Sequence, residues 1–207
     1  MSHFLSWSRE AIFGIRLTRQ DMAFLKQHTK CDDKSIKDLF KDFKKNSPKG
    51  QMTKQQFLNM YKKFFPEKKD SGEFCNHVFR TFDTDNNGFI CFREFLLAIN
   101  ILSTGTPQEK LRMAFNMYDL DGDGVIAKFE LTIIVQSIFN MLGTNAGSKN
   151  EVDSASKRAK NIFAQLDENG DHKITKAEFI SGCLKDEDLA KLLTTNACWL
   201  VIPEEFF

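Results

Sequence analysis

The chain has 207 residues, 42% of them apolar, and its 29 basic and 28 acidic side chains leave a net charge of +1. That length and apolar share support one large domain or two small lobes with real cores, and they exclude a disordered chain. The five cysteines, Cys31, Cys75, Cys91, Cys183 and Cys198, include no CxxC pair, which argues against a disulfide framework and a zinc site. No run of about 18 apolar residues marks a spanning helix, and MSHFLSWSRE lacks the pattern of a secretory leader, so the expected location is cytoplasmic, with peripheral contact at a membrane left open.

Residues 1–20 form an amphipathic arm in which Phe4, Trp7, Ala11 and Ile15 fall on one helical face. Residues 1–70 hold 16 Lys/Arg against 8 Asp/Glu. A basic half of this kind suits anionic lipid or an acidic partner, although lysines dispersed singly along helices also read as a solvated face. No nucleic-acid partner is expected.

The spacing i, i+3, i+4, i+7 of one helix face then occurs four times. The copies are Ile36, Leu39, Phe40, Phe43; Cys75, Val78, Phe79, Phe82; Leu111, Ala114, Phe115, Tyr118; and Ala159, Ile162, Phe163, Leu166. Each of the last three runs straight into an aspartate, in DTDNNGFICFRE (83–94), DLDGDGVIAKFE (119–130) and DENGDHKITKAE (167–178). A second helix follows each loop, as in the stripe Leu131, Ile134, Val135, Ile138, Leu142. The unit is helix, polar loop, helix, and the fold is all-α.

STGTPQEK (103–110) carries a helix start, with Thr106 to cap, Pro107 at the first helical position and Glu109 to complete a capping box. Gly105 ahead of it is expected to turn freely. We therefore place an interlobe linker at 103–108, between an N-lobe at 21–102 and a C-lobe at 109–190, with an apolar tail at 191–207 carrying Trp199, Leu200, Val201, Ile202, Phe206 and Phe207. GTNAGSKNEVDSASK (143–157) reads as a surface loop.

A calcium ion wants six to eight hard oxygens, and the twelve-residue EF-hand loop supplies them from positions 1, 3, 5, 7 (backbone carbonyl), 9 (often through water) and a bidentate Glu at 12, with glycine at the sharp turn of position 6. The second loop offers Asp83, Asp85, Asn87, the Phe89 carbonyl and Glu94, with Gly88 at the turn and Ile90 at position 8. The third offers Asp119, Asp121, Asp123, the Val125 carbonyl and Glu130, with Gly124 and Ile126. Its four carboxylates against three predict the tighter site. Cys91 and Ala127 at position 9 orient a water poorly, which weakens both modestly.

The fourth loop keeps Asp167, Asn169, Asp171, the Lys173 carbonyl and Glu178, with Ile174 at position 8, but has His172 at the turn. A non-glycine residue at positive φ carries a strain of roughly 1–2 kcal/mol, so either a weakened third site or a purely structural loop fits the residues. The first loop is expected to bind no metal. Taking Gly50 and Met52 as positions 6 and 8 starts it at Lys45, counting from Phe43 starts it at Lys44, and either frame ends in a glutamine, Gln56 or Gln55.

From about Leu25 to Leu193 these residues resemble the neuronal calcium sensor family, the recoverin, visinin-like, hippocalcin, frequenin and channel-interacting proteins. The resemblance rests on SPKGQMT in the defective first loop, YKKFFPEKKD, HVFRTFDTD, EKLRMAFNMYDLDGDG and EFISGCLKDEDL. It implies four EF-hands in two paired lobes, compactly arranged in the calmodulin-superfamily fold. It also implies calcium at the second, third and often fourth hands, and a groove, largely in the first lobe, for an amphipathic helix of a channel, receptor kinase, cyclase or lipid kinase. Leu39, Phe40, Phe43, Phe57, Tyr61, Phe64, Phe65, Phe79, Phe82 and Phe89 are placed to line such a groove, with Gly50 and Gly105 as hinges. Ser2 stands where most members have the glycine that is N-myristoylated, and Ser47 where a cysteine is usual. No acyl anchor is expected, and the arm and tail are candidates to fill the groove or meet a membrane.

The sequence thus predicts an intracellular calcium sensor. A calcium buffer, or a constitutive ion-channel subunit with structural calcium, would use the same ligands. An enzyme is not expected, because His3, His28, His77 and His172 form no motif with a nucleophile and no phosphate-binding glycine loop is present.

Overall fold

A computed structural model describes residues 16–64, 71–142 and 149–195 of the chain. The groups singled out in the arm, Phe4 to Ile15, and in the tail, Trp199 to Phe207, lie outside the described residues, as do the side chains of Phe64 and Phe65. Helices α1 (Arg19–His28), α2 (Asp33–Asn46), α3 (Lys54–Phe64), α4 (Ser71–Phe82) and α5 (Phe92–Thr104) come first, with strands β1 (Gln51–Thr53) and β2 (Phe89–Cys91) between them. Then follow α6 (Pro107–Tyr118), β3 (Val125–Ala127), α7 (Lys128–Leu142), α8 (Lys149–Leu166), β4 (Lys173–Thr175), α9 (Lys176–Lys185) and α10 (Glu187–Thr195).

The helix boundaries follow from local chemistry. Thr18 and Asp32 cap α1 and α2 by accepting from the N–H groups of Asp21 and Ser35. The box at α6 forms as expected, with the Thr106 N–H donating to Glu109 Oε2 at 2.7 Å and the Glu109 N–H to Thr106 Oγ1 at 3.2 Å. Gly105 is needed for a different reason from free turning. Its φ of −66° suits any residue, but a Cβ there would lie 2.3 Å from the Ile101 carbonyl oxygen. The stretch 143–157 is likewise not all loop, because α8 already runs from Lys149 and buries Ala155 and Ala159 completely. Small alanines pack a helix closely without leaving a large-residue stripe in the sequence.

Strand β1 pairs antiparallel with β2, and β3 with β4. Met52 faces Ile90 across the first pair and Ile126 faces Ile174 across the second, all four fully buried. Hands therefore come in twos, clamped by apolar position-8 side chains on each short ribbon.

One apolar core runs through both pairs. In the first, Phe57 of α3 meets Phe79 and Phe82 of α4 at ring-centroid distances of 5.8 and 5.4 Å. Phe43 of α2 meets Phe92 and Phe95 of α5 at 5.6 and 5.2 Å. Of the expected groove residues, Phe43, Phe57, Tyr61, Phe79 and Phe82 are buried, Leu39 and Phe40 half-buried and Phe89 exposed. Most of the described side chains expected to line a groove are thus packed into the core. Tyr61 donates its hydroxyl to Met141 Sδ at 3.3 Å, joining α3 to the end of α7.

Candidate metal centres

The second loop begins where the Asp83 N–H closes α4 onto the Phe79 carbonyl at 2.9 Å. The Asp83 carboxylate then turns inward and accepts from the N–H groups of Asn87 at 3.0 Å and Gly88 at 2.9 Å. Glu94, in the first turn of α5, accepts at Oε1 from Thr84 N–H and at Oε2 from Cys91 N–H, both at 2.9 Å. Ligand-bearing groups on two helices are thereby held over one loop. One carboxylate oxygen each from Asp83, Asp85 and Glu94 fall within 4.8 Å of one another. Burial pushes the Asp83 carboxyl above its ordinary pKa against the lowering effect of those amides, with Asp85 and Glu94 adding to the rise. A divalent cation would relieve that crowding. Burial also pushes Cys91 up to about 12, with the Glu94 charge adding to it, so position 9 offers no thiolate.

The third loop repeats the design. Asp119 accepts from Gly122 and Gly124, and Glu130, almost wholly buried, accepts from Leu120 N–H at 2.7 Å and Ala127 N–H at 2.7 Å. Asp119, Asp121 and Asp123 bring oxygens within 4.8 Å of one another. Carboxylates and backbone carbonyls without thiolate or imidazole form a hard-oxygen donor set that fits calcium rather than zinc.

The fourth loop copies the backbone pattern of the third. Asp167 accepts from Gly170 N–H at 2.9 Å and His172 N–H at 3.1 Å, as Asp119 does from Gly122 and Gly124. His172 takes φ 66°, so the residue does occupy the left-handed region that the loop demands of it. Its ring is 93% exposed with Nδ1 4.0 Å from Asp167 Oδ2, outside the donor cage. The larger difference is at position 12. Glu178 is half-buried and engaged by Thr175 through N–H at 2.8 Å and Oγ1 at 2.7 Å. Among the described residues it makes no bond back to the start of its loop. Glu168, the second residue of that loop, is instead drawn to Lys185 at 2.6 Å.

The first loop has the frame starting at Lys45, because Met52 pairs with Ile90 and Gly50 stands at φ 78°. Helix α2 runs to Asn46 and is capped at Ser47. Only two residues then separate the cap from Gly50, whose N–H bonds back to the Ser47 carbonyl at 2.8 Å. Gln56 keeps a helix-starting role, accepting from Thr53 N–H at 2.8 Å, but it offers an ion no charge.

Sequence reasoning missed position 4. Asn86, Gly122 and Gly170 occupy it with φ 54°, 75° and 72°, so each folded loop needs a second left-handed residue. The signal was two glycines and an asparagine at one offset. In the first loop the same offset holds Pro48, whose ring fixes φ near −65°.

Comparison with known proteins gives concordant results. The description "EF-hand domain pair" matches residues 108–184, and "EF hand" matches residues 76–97. Human recoverin is 34% identical over 180 residues, covering 86% of this chain and 89% of recoverin. S-modulin of Aquarana catesbeiana is 33% identical over 181 residues, covering 86% and 88% respectively.

Proposed function

The chain belongs to the neuronal calcium sensor family of EF-hand proteins, and from that premise we propose that it is a calcium sensor whose second, third and fourth loops bind the ion. Binding then exposes the aromatic groove of the first pair of hands to an amphipathic helix of a target protein. Asp83, Asp85, Asn87, the Phe89 carbonyl and Glu94 hold one ion. Asp119, Asp121, Asp123, the Val125 carbonyl and Glu130 hold a second. Asp167, Asn169, Asp171, the Lys173 carbonyl and Glu178 hold a third, more weakly.

The observation that carries this reading is where the ligands sit. Asp83 directly follows α4 and Glu94 lies in the first turn of α5, while Phe79 and Phe82 of α4 pack against aromatic side chains of α3 and α5. Bound calcium supplies a hard divalent charge that needs six to eight oxygens. Closing Asp83 and Glu94 around one centre draws the first turn of α5 toward the end of α4, which changes the angle between helices that share the aromatic cluster. Phe43, Phe57, Phe79 and Phe82 are then the side chains a partner helix would meet. A target of this kind is a channel, receptor kinase, cyclase or lipid kinase, met in the cytoplasm or at an anionic membrane face.

The test is fluorescence of an apolar dye such as ANS, or retention on a hydrophobic resin, with and without calcium. A calcium-dependent rise is expected. No change would sink the sensor and leave a buffer that binds without opening.

A further inference from the structure

Arg80 sits in the last turn of α4, the helix leading into the second loop, yet its guanidinium reaches the third. Nη1 donates to the carbonyl of Leu120, the second residue of that loop, while Nη2 donates to the carbonyls of Met117 at 2.8 Å and Asn116 at 3.4 Å. Asn116 and Met117 lie in the last turn of α6, where helix carbonyls lack intrahelical partners. A cation from the other pair of hands therefore closes the C-terminal end of α6.

The same side chain lies in the field of the third loop's carboxylates. Arg80 is half-buried. Burial lowers its pKa, and the charges of Asp119, Glu130 and Asp121 oppose that fall. All three are proposed calcium ligands, so one set of negative charges serves two cations. Cations that share counter-charges repel each other, and partial burial leaves that repulsion less screened than it would be on an open surface.

We infer that Arg80 is a cross-lobe positioning residue of the third metal loop, whose bridge to Leu120, Met117 and Asn116 opposes calcium binding there. The inference rests on the proposed binding of calcium by the third loop. Linkage is reciprocal, so calcium in the third loop weakens the bridge as much as the bridge weakens calcium. Arg80 is three residues before Asp83, the first ligand of the second loop. Loosening the bridge thus frees the end of the helix that the second loop must move, which gives third-loop occupancy a route to the groove. Arginine suits the task because its planar fork reaches several carbonyls at once, which a lysine ammonium cannot do from one position.

The test uses the full chain carrying Glu94→Gln and Glu178→Gln, which leaves the third loop as the one intact site, and titrates it with calcium by calorimetry at low and high salt. Adding Arg80→Met is expected to raise the affinity about 5- to 20-fold, and the gap should shrink at high salt. Arg80→Lys, which keeps the charge but loses the fork, should fall between the parent and the Met variant. Arg80→Gln, which keeps a donor without the charge, should follow Met, and it serves if Met impairs folding as judged by helix content and thermal midpoint. Unchanged or weaker binding in the uncharged variants would show the bridge to be only a structural cap and overturn the inference. Absence of any binding in the parent would overturn the third-loop reading, and with it the inference.

Discussion

The two pairs of hands are built on one plan and differ in how many of their loops can close. In the second pair, β3 and β4 join two loops with the same inward-turned aspartate, Asp119 and Asp167, each accepting from the residues at positions 4 and 6. In the first pair, β1 joins β2 in the same antiparallel fashion, yet the loop before β1 starts with Lys45 and holds Pro48 where its sisters hold a left-handed residue. Pairing and ligation are therefore separable. Pairing asks for an apolar residue at position 8, which Met52 supplies as well as isoleucine does. Ligation asks for carboxylates, a position-12 glutamate and two left-handed turns, and the first loop meets only one of the turn conditions.

Removing the position-8 contact should have the largest effect. Ile126→Ala is expected to cost about 3–4 kcal/mol of stability by denaturant titration, as for a fully buried large-to-small change, and to weaken calcium at both loops of the second pair. Met52→Ala should cost a similar amount and weaken the second loop alone, because its partner strand serves no other site. Equal losses of affinity in all loops from either variant would erase the distinction between the pairs.

The joint between the pairs comes next. Gly105→Ala places a methyl 2.3 Å from the Ile101 carbonyl oxygen, and overpacking against backbone should destabilise by about 1–3 kcal/mol. A thermal midpoint equal to the parent's would show that the end of α5 opens at no cost.

His172→Gly should do less. The histidine stands at φ 66° in the folded loop, with its N–H on Asp167, so the turn residue reaches the geometry the loop demands. Relief of strain and the greater freedom of unfolded glycine oppose each other, leaving stability within about 1 kcal/mol. Fourth-loop affinity should change by less than about threefold, equivalent to about 0.7 kcal/mol. A tenfold gain by calorimetry would return the weakness of this loop to its turn residue, instead of to Glu178.

A further expected effect is a pH slope from the first pair. Burial depresses the His77 pKa from 6.5 to about 4, with the charges of Arg80 and Lys54 adding to the fall. A depressed folded value means that the neutral ring is favoured in the native state. Its stability contribution is therefore complete above 6.5 and is lost as pH falls from there through about 4. His77→Gln should flatten the decline in stability across that window, measured without calcium, and an unchanged slope would assign it to the carboxylates.

Much of this was legible in the sequence because it is local and periodic. The four helical stripes, the isoleucines at position 8 and the Thr106 capping box each depend on residues a few positions apart. What escaped the sequence depends on distance or on small side chains. The start of α8 was hidden by polar residues and alanines, and Gly105 was credited with freedom when its use is close approach. The frame of the first loop needed the strand register to choose Lys45 over Lys44. Glu178 carries a ligand's identity and its capping box with Thr175 is local, but the missing bond to its own loop start, among the described residues, leaves no mark in the sequence. The reach of Arg80 across 40 residues to Leu120 leaves no periodic trace.

We propose that three loops bind calcium and that the first does not. Calorimetric titration of the full chain tests it most directly, with Glu94→Gln, Glu130→Gln and Glu178→Gln each compared with the parent. Three calcium ions per chain are expected in the parent, the fourth-loop ion weakest, with the loss of one ion in each variant. A parent stoichiometry of two that Glu178→Gln leaves unchanged would contradict the assignment of the fourth loop, and a stoichiometry of four would contradict the exclusion of the first.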